Sequence, residues 1–281
     1  MKTSLSLLTI AVLLTAVQVQ GAVVIYEGFD YNSPGDVQGN GPGAPSGSSL
    51  GLSGTWGGDN RLDVIGGSLG YGSLQTSGNS AQYTGTGGGG GNLGININGD
   101  LAAAGLLNNS TTLWFSVVMN FVDVGNDEFA FTIGTAEPFT NNLQGGNGVG
   151  VYVSSGGAAQ AALYNAGTLQ SATGSTNFQG TTQLIVGRID WGIDGSTADN
   201  LTLYAPGSDL DITGHDFSTA SVDLVQSGLS RIGIWARNGD SDSIDEIRFG
   251  STLADVTPVP EPSAALLGAV GALLLLRRRR S

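Results

Sequence analysis

Leu201-Thr202-Leu203-Tyr204 and Ile232-Gly233-Ile234-Trp235 decide the fold, because in each stretch a branched aliphatic residue returns at every second position. A period of two places those residues on one face of a strand, turned toward a core. Working outward, short apolar or alternating runs recur between clusters of Gly, Asn, Asp and Ser, and no helical period persists. The runs predict strands at Val23–Glu27, Leu62–Leu69, Thr112–Val122, Glu128–Gly134, Gly148–Ser154, Gln160–Asn165, Thr182–Gly192, Asn200–Ala205, Ser230–Ala236 and Ser243–Phe249. That many strands in one unit of about 235 residues predict an all-β domain of two stacked antiparallel sheets. Thr112–Val122 is apolar almost throughout and is expected to run through the middle, with Trp114 in the core. One short helix is expected, at Gly99–Leu107. Gly87–Gly91 has no side chains to pack and reads as a loop; it lacks the Lys-Ser/Thr of a phosphate-cradling loop, which argues against nucleotide binding.

Composition agrees. Among 281 residues there are 47 glycines, and only 12% are charged, which suits turn-rich β architecture better than helix. There is no cysteine, hence no disulfide framework, thiolate metal site or Cys nucleophile. The lone lysine is Lys2, and four arginines stand at Arg277–Arg280. Between Gly21 and Ser263 five arginines therefore face all 23 acidic residues, a net charge of −18. A surface this acidic repels phosphate backbones and leaves cations, neutral glycans or other proteins as partners.

The two ends carry an address. Residues 1–22 have a basic start at Lys2, an apolar run from Leu5 to Val17, and small residues at Gly21 and Ala22. This is signal-peptide anatomy, with cleavage expected after Gly21 or Ala22. At the other end, prolines at 258, 260 and 262 hold the chain extended ahead of an apolar stretch, Ala264–Leu276, and then Arg277–Arg280. As a helix the apolar stretch would span about 20 Å, short of the ~30 Å hydrocarbon core unless the bilayer thins or the arginines snorkel. The arginines should stay cytoplasmic, placing the domain outside the inner membrane.

The run Pro260-Glu261-Pro262-Ser263, followed by the apolar stretch and the arginines, resembles the PEP-CTERM sorting signal of Gram-negative bacteria that make extracellular polysaccharide. The resemblance implies recognition by a membrane-embedded exosortase, cleavage near Pro260–Pro262, and delivery to the cell surface or extracellular matrix. An ordinary tail anchor behind a proline linker is the alternative. The expected organisation is a signal peptide (1–22), a β-sandwich (23–255), a Pro-rich linker (256–263) and a transmembrane helix with an Arg-rich tail (264–281). A second resemblance rests on Tyr26-Glu27-Gly28-Phe29-Asp30-Tyr31, Gly187-Arg188-Ile189-Asp190-Trp191-Gly192 and Ile244-Asp245-Glu246-Ile247-Arg248-Phe249-Gly250. These look like exported proteins with a concanavalin A-like (LamG-like) jelly roll, in which the first and last strands pair.

Such domains include glycan-binding modules and glycan-active enzymes, so paired acids matter. The nearest approaches are Asp127-Glu128 and Asp242-Ser243-Ile244-Asp245-Glu246, and adjacent strand residues point to opposite faces. His215 is the only histidine and lies in a loop-like stretch with no Gly-x-Ser-x-Gly elbow. No catalytic residue is assigned. Calcium is the plausible cofactor, through Asp240, Asp242 and Asp245 ahead of Asp190, Asp194 and Asp199, although acidic loops can equally be solvated surface. Of Trp56, Trp114, Trp191 and Trp235, Trp56 in a glycine-rich loop is the first candidate for stacking on a sugar, with packing under the loop as the alternative. The expectation is a non-enzymatic, glycan-associated or adhesive surface protein, with a polysaccharide hydrolase or lyase as the alternative.

Overall fold

The structure, a computed structural model, describes residues 23–32, 34–42, 49–59, 61–85, 90–122, 128–136, 143, 146–237 and 241–259. In chain order the strands begin with β1 (Ile25–Glu27), β2 (Gly35–Asp36), β3 (Leu52–Gly58), β4 (Leu62–Ile65), β5 (Ser80–Tyr83) and β6 (Gly90–Ile97). After α1 (Asp100–Ala103) come β7 (Thr112–Phe121), β8 (Glu128–Gly134), β9 (Gly148–Val153), β10 (Ala158–Asn165), β11 (Thr168–Leu169) and β12 (Thr176–Asn177). The last are β13 (Thr181–Asp190), β14 (Asp199–Tyr204), β15 (Asp216–Val222), β16 (Arg231–Arg237) and β17 (Ser243–Gly250), followed by α2 (Leu253–Val256).

These strands form two antiparallel sheets. The first runs β15-β14-β13-β7-β17-β5-β4-β2, with β1 added on β17; the second runs β11-β10-β9-β8-β16-β6-β3, with β12 beside β10. The result is the pair of stacked antiparallel sheets predicted from the run of strands, in the jelly-roll sandwich that the resemblance implied. The first and last strands pair, Ile25 opposite Phe249 and Glu27 opposite Ile247. β7 lies in the middle, between β13 and β17.

Every predicted strand is present, within a few residues at the ends, and the alternation explains each. Leu201, Leu203, Ile232 and Ile234 are all fully buried between the sheets, while Thr202 and Tyr204 are only half-buried on the outside. At the centre Phe115 and Phe249 of the first sheet meet Phe131 of the second, with ring centroids 5.8 to 6.1 Å apart. Gly187 sits opposite Phe115 in the register, and a Cβ built there would come within 2.0 Å of the Phe115 ring. Glycine is therefore required beneath that ring.

Three expectations need correction. Gly90 and Gly91 of the glycine run belong to β6, where a Cβ at Gly90 would meet the Trp235 indole at 2.9 Å; residues 86–89 lie outside the described residues. The helix is only Asp100–Ala103, one turn that buries Leu101. The folded unit also runs past residue 255. Val256 is fully buried, its carbonyl accepts a hydrogen bond from the Ser116 hydroxyl at 2.6 Å, and the Pro258 carbonyl accepts one from the Gln75 amide at 2.8 Å.

These last contacts belong to a second apolar layer on the outer face of the first sheet. Val118, Leu184 and Val186 point outward there and are covered by Leu74, Leu210 and Val256, with Leu69, Tyr71 and Leu253 packed against them. The cover consists of the chain around residues 69–74, the 205–212 connection and α2, the last fixed by a capping box between Thr252 and Asp255. Gly187→Ala is expected to lower stability by about 1–3 kcal/mol, the usual cost of overpacking a core, read as a lower midpoint in thermal or urea unfolding.

Candidate functional site

Trp56 is not an exposed platform. It is 1% exposed and stacks on Phe29 at 5.8 Å, because its segment is a strand, β3, paired with β6 in the second sheet, rather than a loop. Glu27 is buried in the same neighbourhood, accepting from the Phe29 amide (2.7 Å), the Tyr31 hydroxyl (2.5 Å) and the Ser49 hydroxyl (2.9 Å). Burial raises its pKa against those hydrogen bonds. Trp191 is also buried, donating to the Leu106 carbonyl at 2.7 Å, and Trp235 is fully buried.

Among the described residues, the acids considered for calcium do not gather as ligands. Asp242 is 2% exposed and accepts from the Val122 amide, while Asp245 is fully buried and accepts from Ser68 and Leu69. Asp240 lies outside the described residues. Asp190 pairs with Arg188, Asp199 accepts from the amides of Gly192 and Leu224, and Asp194 is exposed. Among the described residues no three His, Cys, Asp or Glu side chains converge on a metal position. His215 is exposed. Asp127, the sorting residues Pro260, Glu261, Pro262 and Ser263, and Arg277, Arg278, Arg279 and Arg280 lie outside the described residues. Among those described, no helix is long and apolar enough to cross a membrane.

Asp245 and Glu246 overturn the expectation that neighbouring acids diverge. Register shifts between Asp245 and Arg248, and Glu246 takes φ 55°, so a β-bulge brings both acids to the outer face of the first sheet. The Ser68 hydroxyl lies 2.6 Å from Asp245 and 3.1 Å from Glu246. Glu246 also accepts from the Ser77 amide and pairs with Arg248, whose guanidinium donates to the Gln75 carbonyl (2.7 Å) and lies 5.0 Å from the Tyr26 ring centroid. All three charged residues are buried, so the cluster is a clasp that holds the covering segment rather than an open site. Burial first, and Glu246 second, push the Asp245 carboxyl up to about 8.

That shift has a sign. A carboxyl near 4 in the unfolded chain and near 8 in the folded one binds its proton more tightly when folded, so its contribution to stability is largest below pH 4 and declines as pH rises to about 8. Asp245→Asn should flatten the fall in melting temperature between pH 4 and 8; an unchanged slope in the variant would show that other groups cause it.

An accessible arrangement lies on the other flank of the same sheet. The register aligns Thr219, Thr202, Arg188 and Trp114 across β15, β14, β13 and β7, and beside them Ser221, Asn200, Asp190 and Thr112. Thr173 extends the first row through its bridge to Thr219. Ser171, Thr173, Asn200, Thr202, Thr219 and Ser221 line a cleft of about 460 Å³, whose floor includes Leu201 and Ala220. At the far end of the row Trp114 is half-buried, stacked on Tyr204 at 6.3 Å with Arg188 over its ring at 5.8 Å. Three strand spacings separate Trp114 from Thr219, about 14 Å.

The sequence placed Trp114 in the core because its strand is apolar almost throughout. Parity held the missing signal: Leu113, Phe115 and Val117 share the inner face, which leaves Trp114 on the same side as Ser116 and Asn120. The cleft could not be seen before the register was known, since its hydroxyls come from three separate segments.

Chemically, this face can hydrogen-bond and stack. The one carboxylate in the two aligned rows, Asp190, is held by Arg188 Nη2 at 2.9 Å and by the Thr112 hydroxyl at 2.7 Å. On the second sheet Glu128 pairs with Arg237 at 3.2 Å. Nearby Tyr152 is pushed up to about 12, by burial and then by Glu128, so at neutral pH it keeps its proton and is no base. The lining of this cleft contains no carboxylate, whereas glycoside hydrolysis uses a pair of them.

No protein-family model matches the sequence, and no curated protein sequence matches it. Solved structures with a similar course of chain include a sialidase from Trypanosoma rangeli, 8% identical with a TM-score of 0.40, covering 83% of this chain and 32% of that one. The chain thus spans about a third of that sialidase's length. A marine alginate lyase from Aplysia kurodai is 9% identical with a TM-score of 0.41, covering 70% of this chain and 89% of that one. Lectin II from Ulex europaeus is 10% identical with a TM-score of 0.40, covering 82% and 99%.

Proposed function

We propose that this protein is an exported surface or extracellular-matrix component whose β-sandwich binds glycans without cleaving them. The observation that carries the reading is a cleft lined by hydroxyls and an amide, with the half-buried indole of Trp114 in register with it. An indole offers an apolar face to a sugar ring, and hydroxyls both donate to and accept from sugar hydroxyls. A cleft lining without a carboxylate favours binding over hydrolysis at this site.

Export rests on the two sequence ends. The apolar run behind Lys2 supports secretion, and Pro260-Glu261-Pro262-Ser263 with Arg277–Arg280 supports sorting by an exosortase-type enzyme after transient residence in the inner membrane. Extracellular polysaccharide is the partner this address suggests.

Two experiments test the proposal. In a pull-down against a panel of polysaccharides, the protein should be retained by at least one, and Trp114→Ala should weaken retention about tenfold, equivalent to ~1.4 kcal/mol. Unchanged retention would remove Trp114 from the site, and release of reducing ends or unsaturated sugars would replace binding with catalysis. Expressed with a sorting system, the mature protein should give an intact mass ending between Pro260 and Ser263; a mass that keeps Arg277–Arg280 would mean a plain membrane anchor.

A further inference from the structure

Beside the cleft on the first sheet stand an arginine and a device that neutralises it. Arg188 stands beside Thr202 in the register, at the margin of the cleft, and is 44% exposed. A free guanidinium there would be a fork for a sugar carboxylate, able to bind it through two parallel hydrogen bonds. The Nε/Nη2 edge of that fork is already engaged and its charge balanced, because both Nε (3.1 Å) and Nη2 (2.9 Å) of Arg188 donate to Asp190 Oδ1. The Thr112 hydroxyl on the adjacent strand donates to the same oxygen at 2.7 Å and fixes its position. The polar side chains that line the cleft itself are all hydroxyls or an amide, uncharged at any physiological pH. Beyond the cleft, the net charge of −18 over residues 21–263 gives a field that repels polyanions.

We infer that Asp190 sets the ligand class: by occupying the Arg188 guanidinium it restricts the cleft to uncharged polysaccharide chains and turns away those rich in uronic acid. This rests on the glycan-binding reading above. Two strand spacings, about 9–10 Å, separate Trp114 from Thr202 at the near side of the cleft and three, about 14 Å, from Thr219, so a ligand that reaches from the indole across the cleft is an oligosaccharide or longer. Asp190 is a positioning residue, acting through Arg188, and as an exposed ion pair it can be broken at little cost to the fold.

The test compares binding of full-length wild type, Asp190→Asn, Arg188→Gln and the double variant to a neutral polymer, such as xyloglucan or mixed-linkage β-glucan, and to polygalacturonate. Circular dichroism checks that each variant is folded. Wild type should bind a neutral polymer and leave polygalacturonate unbound, and a monosaccharide should not compete. Asp190→Asn should gain at least tenfold in affinity for polygalacturonate. That gain should fade at high salt and vanish in the double variant, while Arg188→Gln alone should leave polygalacturonate unbound. Wild-type binding of polygalacturonate as tight as that of the neutral polymer would overturn the inference. So would no gain in folded Asp190→Asn, or a gain that survives loss of Arg188. Binding of neither polymer class by wild type would instead overturn the glycan-binding reading, and this inference with it.

Discussion

Burying a central strand on both faces, with charged side chains on the outer one, is the constraint from which the rest of the first sheet follows. All eight residues of β17 are buried. Its inner face gives Ile244, Ile247 and Phe249 to the sandwich core, and its outer face carries Asp245, Glu246 and Arg248. Unpaired, such groups would cost several kcal/mol each. Their partners come from Ser68, Leu69, Gln75 and Ser77, so the covering segment is demanded by the strand it covers. Leu74 and Val256 then complete an apolar seal. The middle of the outer face is thereby closed, and the accessible polar surface is left at the β13–β15 flank, where the cleft lies.

The bulge in β17 shows how a local exception redirects chemistry. Pleat alternation would send Asp245 and Glu246 apart, one of them into the phenylalanine core. A single residue at φ 55° avoids that outcome and puts both acids on one serine. The strain of a non-glycine residue in this region is held by the hydrogen bonds that the bulge makes possible.

What could be read in advance followed the strength of the alternation. β8 was legible to its ends, and β7, β13, β14, β16 and β17 nearly so, because each carries aliphatic residues in sequence. β3, β5, β6 and β15 were missed: Leu-Ser-Gly-Thr-Trp-Gly-Gly and Asp-Phe-Ser-Thr-Ala-Ser-Val carry too little apolar signal, and their pairing supplies the order that their own propensity does not. The tryptophans were misjudged for a related reason. Glycine neighbours made Trp56 look like a loop residue, although those glycines let β3 lie close to β6; apolar neighbours made Trp114 look internal, although parity turns it outward. The cleft was illegible because its lining is assembled by register across segments far apart in the chain.

The arginine pairings described above bear on survival outside the cell. Between residues 23 and 259 there is no lysine, and the basic residues are Arg61, Arg188, Arg231, Arg237 and Arg248. Four of these lie within strands β13, β16 and β17, and Arg61, next to β4, is held by Asp59 at 3.3 Å. Proteases that cut after basic residues need several residues of chain freed from structure at the cleavage point. This fold offers them basic side chains almost only where the backbone is locked in a sheet, so digestion by such enzymes must wait for unfolding.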